Sequence, residues 1–270
     1  MTYNNKFDKL TEWFLKNGDN VLVALSGGVD SAVVALAAKK VCGNKALAVT
    51  ANYKTLSKEE LSTAKKIADE IGITHRVITY NELKSSEFAK NDEMRCYYCR
   101  RELTHYLLQE ARKFGINLVV DGTNMDDLKD IRPGIKALRE KGVRSPMVEL
   151  GIGKSDIRSI AQQNGLSVYN KPSNACLASR IPHGMEVTYK KLKKIEKSEI
   201  VVKSIFNVRQ VRVRDHGEIA RIEVGNNEIT KLFDVDKLAL VDTKLKELGF
   251  KFVSIDAIGY RTGNLLVIGK

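Results

Sequence analysis

The chain has 270 residues, of which 43% are hydrophobic and 29% charged, and its formal net charge is +12. No apolar run approaches the roughly 20 residues of a membrane-spanning helix, and the N-terminus lacks the apolar core of a signal peptide. The 4 cysteines are too few for a disulfide scaffold of this size and suit a reducing compartment. We therefore expect a cytoplasmic protein of two domains, with anionic partners such as nucleotides.

The first 170 residues alternate between helical and strand patterns. The predicted helices span residues 2–17, 31–41, 57–71, 100–114 and 154–164. The predicted strands span residues 20–25, 45–50, 75–79 and 117–121. This alternation is typical of the α/β class, with a doubly wound parallel sheet that binds ligands at the carboxyl ends of its strands.

The pattern changes after about Tyr169, where a loop rich in proline and glycine begins. Beyond the loop the sequence predicts a helix near 188–204, strands at 209–215 and 218–224, a helix near 234–248 and a strand at 251–257. We expect an N-terminal domain over 1–170, a linker or active-site loop over 171–184 that carries Cys176, and a smaller α+β domain over 185–270.

The first predicted strand runs directly into Ser-Gly-Gly-Val-Asp-Ser at residues 26–31. Its glycines allow a sharp turn and a close approach to a ligand, and the following helix presents free N–H groups. A strand, a glycine-rich turn and a helix N-terminus form an anion pocket, although no Walker A lysine follows here. The motif resembles the PP-loop of ATP pyrophosphatases. That resemblance implies ATP as the ligand and makes these residues candidates for binding it: Ser26, Gly27, Gly28, Asp30 and Ser31.

A second loop, Asp121-Gly122-Thr123-Asn124, follows the fourth predicted strand. In a doubly wound fold the adenine and ribose of a nucleotide would lie at this edge of the sheet. Gly122, Thr123 and Asn124 are therefore candidate ATP-binding residues. Arg132, a little further along, is a candidate for contact with a phosphate or carboxylate through its planar guanidinium.

Three of the cysteines form a candidate metal site. Cys96 and Cys99 make a C-x-x-C pair, and Cys176 lies in the predicted loop. Structural zinc usually takes four ligands, so it would need to recruit a histidine. Three cysteines can instead hold a 4Fe–4S cluster with one iron left open, and the pair can also form a redox disulfide or bind no metal. The residues alone leave these alternatives open.

Arginine and valine alternate at residues 211–214, which places Arg212 and Arg214 on one face of a predicted strand. Neighbouring guanidiniums repel each other unless they share an anion. The pair is therefore a candidate site for a phosphate or carboxylate of a substrate, or else a solvated face neutralised by Glu223 or Glu218.

Taken together, the motifs resemble the LarE-type ATP-dependent sulfur transferases along nearly the whole chain. The matching stretches are SGGVDS, DGTNMDDLKDIRPG, the surroundings of Cys176 with SRIPHG after it, VRVRDHGEIARIE and GYRTG. The resemblance implies a PP-loop domain followed by an α+β domain. It also implies a role in building the nickel-pincer nucleotide cofactor of lactate racemase.

The resemblance further implies the reaction. A carboxylate of pyridinium-3,5-biscarboxylic acid mononucleotide attacks the α-phosphate of ATP, pyrophosphate leaves, and a sulfur atom then displaces AMP to give a thiocarboxylate. Mg²⁺ would bridge the phosphates, with Asp30 as its ligand or orienter. Arg212 and Arg214, joined by Ser179 and Arg180 beside Cys176, would clamp the substrate.

Two sulfur sources are known in this family. In one form a lone cysteine at the Cys176 position gives up its own sulfur, and in the other three cysteines bind an iron–sulfur cluster that relays sulfide. Because this chain has Cys96 and Cys99 as well as Cys176, it resembles the cluster form, supplied by sulfide or a sulfur-donor protein. A sacrificial Cys176 without a cluster is the alternative.

Other functions compete with this interpretation. A PP-loop tRNA thiolase would also use a cluster, and the charge of +12 suits RNA, but no RNA-binding module is recognisable. A ligase that transfers ammonia has no use for three placed thiols. We therefore expect a small-molecule substrate, no nucleic acid or membrane partner, and a homo-oligomer.

Overall fold

The computed structural model describes residues 4–128 and 133–261. The chain forms two compact units, each built from two stretches of sequence. Unit 1 comprises the residues up to Glu82 together with Met94–Ser173, and unit 2 comprises Leu83–Glu93 together with the residues from Asn174 onward. In the described ranges, no helix is both long enough and apolar enough to cross a membrane.

Helices account for much of both units. In chain order they are α1 (Asn4–Asn17), α2 (Val29–Cys42), α3 (Lys58–Ile71), α4 (Ser86–Ala89), α5 (Arg95–Lys113), α6 (Pro133–Arg139), α7 (Pro146–Glu149), α8 (Lys154–Gln163), α9 (Tyr189–Phe206) and α10 (Val235–Glu247). The short α4 and the C-terminal α9 and α10 belong to unit 2, and the others belong to unit 1.

Unit 1 is built on a parallel sheet. Its strands are β1 (Val21–Ala24), β2 (Ala46–Asn52), β3 (Thr74–Thr79) and β4 (Leu118–Val120), in the spatial order β3-β2-β1-β4. Side chains of β1 alternate between two apolar clusters. Val23 belongs to one cluster with Phe14 of α1, and Leu22 belongs to the other with Leu107 of α5. Helices therefore cover both faces of the sheet, and the predicted α/β class is confirmed.

Unit 2 contains a smaller sheet with helices packed on one face. Strand β5 (Val211–His216) pairs antiparallel with β6 (Ile219–Val224), which pairs in parallel with β7 (Phe252–Ile255). Val213 and Ile222 point into an apolar core that also holds Phe206 of α9 and Leu245 of α10. The predicted α-β-β-α-β order of this region is therefore confirmed.

The segment Leu83–Glu93 is tied to the rest of unit 2 by Asn91. This residue is buried and has a φ of 60°, a conformation that asparagine tolerates better than most residues. Its side-chain amide donates to the carbonyls of Pro182 at 2.8 Å and Met185 at 2.7 Å, and its own carbonyl accepts from Gly184 N–H at 3.0 Å. No change of composition marks this segment in the sequence, so its grouping with the C-terminal residues is not predictable from sequence.

Candidate active site

Residues 26–31, which we call the nucleotide loop, join β1 to α2 at the carboxyl edge of the sheet in unit 1. The loop is shaped by its own hydroxyl groups. Ser31 Oγ accepts from Ser26 N–H at 3.1 Å and donates to the Gly28 carbonyl at 3.1 Å, while the two serine oxygens lie 3.0 Å apart. The first N–H groups of α2 have no acceptor within the helix, so they can bind a phosphate oxygen at this loop.

Gly27 lets the nucleotide loop pack against the start of α3. Its φ is 81°, and a Cβ added here would lie 2.7 Å from the Glu60 carbonyl oxygen. The same corner is closed by Lys171, whose Nζ donates to the Gly27 carbonyl and to the Glu60 carboxylate at 3.0 Å each. The turn therefore depends on glycine at this position.

The Asp121–Asn124 loop lies directly against the nucleotide loop. A Cβ on Gly122 would lie 2.7 Å from the Ser31 nitrogen, so the two backbones touch in a way that only glycine permits. The amide of Asn124 also donates to the Asp30 carboxylate at 3.3 Å. The structure thus brings together, within unit 1, the two loops that the sequence analysis predicts to bind ATP.

Lys154 is a charged neighbour of the nucleotide loop that the sequence analysis missed. Its Nζ donates to both carboxylate oxygens of Asp30, at 2.7 and 2.5 Å. Its backbone N–H, at the start of α8, donates to the Asp126 carboxylate at 2.7 Å. The ammonium group is therefore held beside the predicted phosphate site, where it can contact an anion. In sequence it is simply one of many lysines.

Cys96 and Cys99 lie in the first turns of α5 in unit 1. Residues three apart on a helix share a face, so both thiols are presented on the same side. Cys96 is exposed and Cys99 is partly exposed. Cys42 differs from them, because burial raises the pKa of its thiol and its sulfur lies 3.8 Å from the Gly18 carbonyl.

Cys176 lies in unit 2, immediately before a short helical turn at Leu177–Arg180, and is partly exposed. Arg180 is fully buried and donates both to the loop backbone around Cys176 and to Glu199 of α9. Ser179 contributes its carbonyl, which accepts from Arg214 at 2.7 Å. The predicted substrate residues Ser179 and Arg180 are therefore part of the framework of this loop.

The arginines of β5 differ in their surroundings. Arg214 is buried and donates two hydrogen bonds to one oxygen of Glu223, at 3.0 and 2.7 Å. Arg212 is also buried and lies 5.2 Å from the centre of the Tyr260 ring. Burial, and then the nearby charge of Arg180, lower the pKa of Arg212 to about 10. A bound anion would stabilise the Arg212 charge in this environment.

Two predictions remain, the anion contact of Arg132 and the three-cysteine metal site. Arg132 lies outside the described residues. For the candidate metal site, the described part of the chain holds no group of three or more His, Cys, Asp or Glu side chains arranged to bind a metal ion. Thiolate sulfur is nevertheless the ligand type that iron–sulfur clusters use, and the exposed or partly exposed Cys96, Cys99 and Cys176 have the chemistry that such a cluster needs.

The chain is similar to known proteins over nearly its whole length. The chain is 42% identical to the Synechocystis protein slr1717 over 97% of both chains. It is 33% identical to the pyridinium-3,5-bisthiocarboxylic acid mononucleotide synthase of Lactiplantibacillus plantarum, over 93% of this chain and 90% of that enzyme. It is also 31% identical to MJ0830 of Methanocaldococcus jannaschii, over 90% of this chain and 91% of that protein.

This chain belongs to the LarE-type family of synthases. The similarity of sequence to LarE-type sulfur transferases is thereby confirmed, and so is the expectation of an ATP-using sulfurtransferase. A model of the queuosine biosynthesis protein QueC matches residues 20–96, which contain β1, β2, β3 and the nucleotide loop. That match is consistent with the PP-loop architecture of unit 1.

The site residues missed in this LarE-type chain are partners of predicted ones. Lys154 contacts Asp30, Lys171 contacts Gly27, and Glu199 contacts Arg180. Each pair joins residues that are distant in sequence. No spacing or local motif could have identified these partners, because the pairing depends on how the elements pack.

Proposed function

We propose that this chain uses ATP to convert a carboxylate of pyridinium-3,5-biscarboxylic acid mononucleotide to a thiocarboxylate, with sulfur supplied from an iron–sulfur cluster held by its three placed cysteines. The observation that carries the proposal is the identity of 33% to a named pyridinium-3,5-bisthiocarboxylic acid mononucleotide synthase across nearly the full length of both chains. That name describes the product expected of this reaction.

The nucleotide loop supplies the groups needed for the first step. A substrate carboxylate oxygen attacks the α-phosphorus, the bond from that phosphorus to the bridging oxygen breaks, and pyrophosphate leaves with the electron pair. Ser26, Gly27, Gly28 and Ser31 would bind the departing group through N–H and hydroxyl donors. Donors already oriented toward developing negative charge lower the barrier most effectively.

Lys154 and Asp30 extend this site with side-chain charge. The ammonium of Lys154 lies against the Asp30 carboxylate and can also donate to a phosphate oxygen beside the loop. Asp30 has the carboxylate chemistry that Mg²⁺ prefers, and Mg²⁺ bound there would neutralise charge on the phosphates. Asn124 holds Asp30 in place through its amide, at 3.3 Å.

We assign recognition of the substrate's phosphate or carboxylates to Arg212. Burial of its guanidinium, and then the nearby charge of Arg180, lower the pKa of Arg212. An anion beside Arg212 would stabilise its charge, and that stabilisation would favour binding of the anion. Arg214 contributes less directly, because Glu223 already accepts two of its hydrogen bonds.

Cys96, Cys99 and Cys176 would hold the cluster, which when bound would supply inorganic sulfur to the activated carboxyl carbon. The support for this assignment is chemical. All three thiols are exposed or partly exposed, and thiolate sulfur is the ligand type that iron–sulfur clusters use. The attacking sulfur displaces AMP, which takes the electron pair of the acyl–oxygen bond.

The decisive experiment uses full-length protein purified without oxygen, supplied with ATP, Mg²⁺, sulfide and the pyridinium biscarboxylate mononucleotide. We expect iron and sulfide in the protein, equimolar AMP and pyrophosphate, repeated turnovers, and a polypeptide of unchanged mass. Cys176→Ser should abolish thiocarboxylate formation and the AMP release coupled to it, while about one equivalent of pyrophosphate per protein still forms together with the acyl-adenylate. Cys42→Ser is the matched control and should behave as the wild type.

The outcomes separate the parts of the proposal. Iron-free protein after anaerobic reconstitution would exclude the cluster. A polypeptide that loses one sulfur during turnover would identify Cys176 as the donor. Failure to release pyrophosphate with this substrate would refute the proposed reaction itself.

A further inference from the structure

Arg180 lies at the centre of the loop that carries Cys176, and its side chain has no exposed surface. On one side it forms a double hydrogen bond with the carboxylate of Glu199, at 2.7 and 3.1 Å. On the other side it donates to the carbonyls of Ala175 at 2.6 Å and Cys176 at 3.0 Å. The Cys176 peptide is therefore fixed directly by a guanidinium.

The remaining donors of Arg180 bind the same loop. One terminal nitrogen also contacts Ser179 Oγ at 3.1 Å, and the other contacts Asn174 Oδ1 at 3.1 Å. A guanidinium in this arrangement has all of its N–H groups directed at protein acceptors. It has none left to donate to a substrate.

Glu199 connects this centre to the sheet of unit 2. Besides pairing with Arg180, its carboxylate accepts from Val213 N–H on β5 at 3.1 Å. Arg214, on the same strand, donates to the Ser179 carbonyl at 2.7 Å. Residues on both sides of Cys176 are thus joined to β5 and α9, which are regular elements with their own apolar core.

We propose that Arg180 is a positioning residue that sets the place of Cys176 for sulfur transfer, and that it does not bind the substrate. The inference rests on the proposed function, in which Cys176 takes part in delivering sulfur. Its physical basis is that a displacement of about 1 Å at a reacting group can lower a rate about a hundredfold. The planar, multiply bonded guanidinium suits this task, and lysine cannot reproduce its geometry.

The first test measures the loop without any reaction. Cluster-free Arg180→Lys and cluster-free wild-type full-length protein are treated with iodoacetamide, and alkylation of each cysteine is followed by mass spectrometry. We expect Cys176 in the variant to react several-fold faster, because the loop carbonyls lose their shared donor. Cys42, in unit 1, is the internal reference and should react at the same rate in both proteins. Equal Cys176 rates would overturn the proposal.

The second test separates positioning from substrate binding. In Arg180→Lys, thiocarboxylate formation should fall about a hundredfold, while the Kd for the pyridinium substrate and the single-turnover rate of pyrophosphate release stay unchanged. A raised Kd with slower single-turnover release of pyrophosphate would show that Arg180 binds the substrate, and would overturn the inference. Arg76→Lys, which makes the same substitution in the Arg76–Glu110 pair of unit 1, is the matched control.

Chemical rescue supplies the remaining evidence. Arg180→Ala removes the guanidinium that pairs with the Glu199 carboxylate, so added guanidinium should restore both slow alkylation of Cys176 and sulfur transfer. If Arg180→Ala does not fold, the comparison of Arg180→Lys with wild type decides the matter alone. Because the alkylation test needs neither ATP nor substrate, it can fail or succeed independently of the proposed function.

Discussion

The nucleotide loop and the Cys176 loop are held in place by different kinds of interaction. The nucleotide loop uses groups that are adjacent in sequence, with Ser26 and Ser31 bonding across the turn and Gly27 packing on α3. The Cys176 loop uses buried guanidiniums whose carboxylate partners, Glu199 and Glu223, come from distant elements.

The two loops should differ in how well they tolerate the loss of individual side chains. Backbone donors at a helix N-terminus are present whenever the helix forms, so the nucleotide loop depends on few particular side chains. A buried ion pair is sensitive to the loss of either partner, because removal of one leaves an uncompensated buried charge at a cost of about 3–5 kcal/mol. The Cys176 loop should therefore be the less tolerant of substitution in its charged residues.

The largest effect we expect tests the ammonium group of Lys154, which contacts Asp30 beside the nucleotide loop. Lys154→Met removes the proposed donor for the departing pyrophosphate and should lower the rate of pyrophosphate release by roughly 10²–10³-fold. The measurement is single-turnover release of labelled pyrophosphate. Lys45→Met, which breaks an exposed pair with Asp19, should leave the rate unchanged. A normal rate in Lys154→Met would mean that backbone donors alone bind the pyrophosphate.

The next prediction tests the backbone itself. Gly27→Ala forces a Cβ to within 2.7 Å of the Glu60 carbonyl at a φ of 81°, and should destabilise unit 1 by about 3 kcal/mol. Denaturant unfolding followed by Trp13 fluorescence reports on this unit. Gly72→Ala, at a left-handed φ of 69° and ψ of 28° with no atom within 4 Å, should cost only about 1 kcal/mol. Equal costs for both variants would contradict the close packing at Gly27.

The smallest expected effect compares the buried Arg212 with the exposed Arg209, both in unit 2. Arg212→Met removes a charged hydrogen-bond donor from the proposed anion site, and should weaken substrate binding by about 1.5–3 kcal/mol. The corresponding rise in the KM for the pyridinium substrate lies between about tenfold and a hundredfold. Arg209→Met removes the same charge from an exposed position and should leave KM unchanged. Equal KM values for the two variants would exclude Arg212 from substrate binding.

Sequence patterns predicted most of the fold. The strands predicted at 20–25 and 45–50 appear as Val21–Ala24 and Ala46–Asn52, because continuous apolar runs bounded by turn residues identify buried strands well. Helix α5 begins at Arg95, five residues before the predicted start at 100. The C-x-x-C motif is interpreted from sequence as a candidate metal site and lies outside the predicted helix. None of its residues breaks a helix, however, and both cysteines lie on α5.

The candidate site was predictable only where its residues form a local motif. Ser26–Ser31 and Asp121–Asn124 were found from glycine, hydroxyl and turn chemistry, and the structure brings these loops together in unit 1. The pairs Lys154–Asp30 and Arg180–Glu199 were not found, because a charged residue has many potential partners in sequence. Tertiary packing determines which of these potential partners forms the pair, and the local sequence carries no information about it.

The attachment of Leu83–Glu93 to the C-terminal residues also affects the order in which the protein can fold during synthesis. Asn91 leaves the ribosome before Pro182 and Met185 exist, and must wait while Met94–Ser173 is made, which takes several seconds at about 5–20 residues per second. During that delay the hydrogen bonds to those carbonyls cannot form. For the same reason, a fragment that starts at Asn174 would lack Leu83–Glu93, and the carbonyls of Pro182 and Met185 would lose the amide donor that Asn91 supplies.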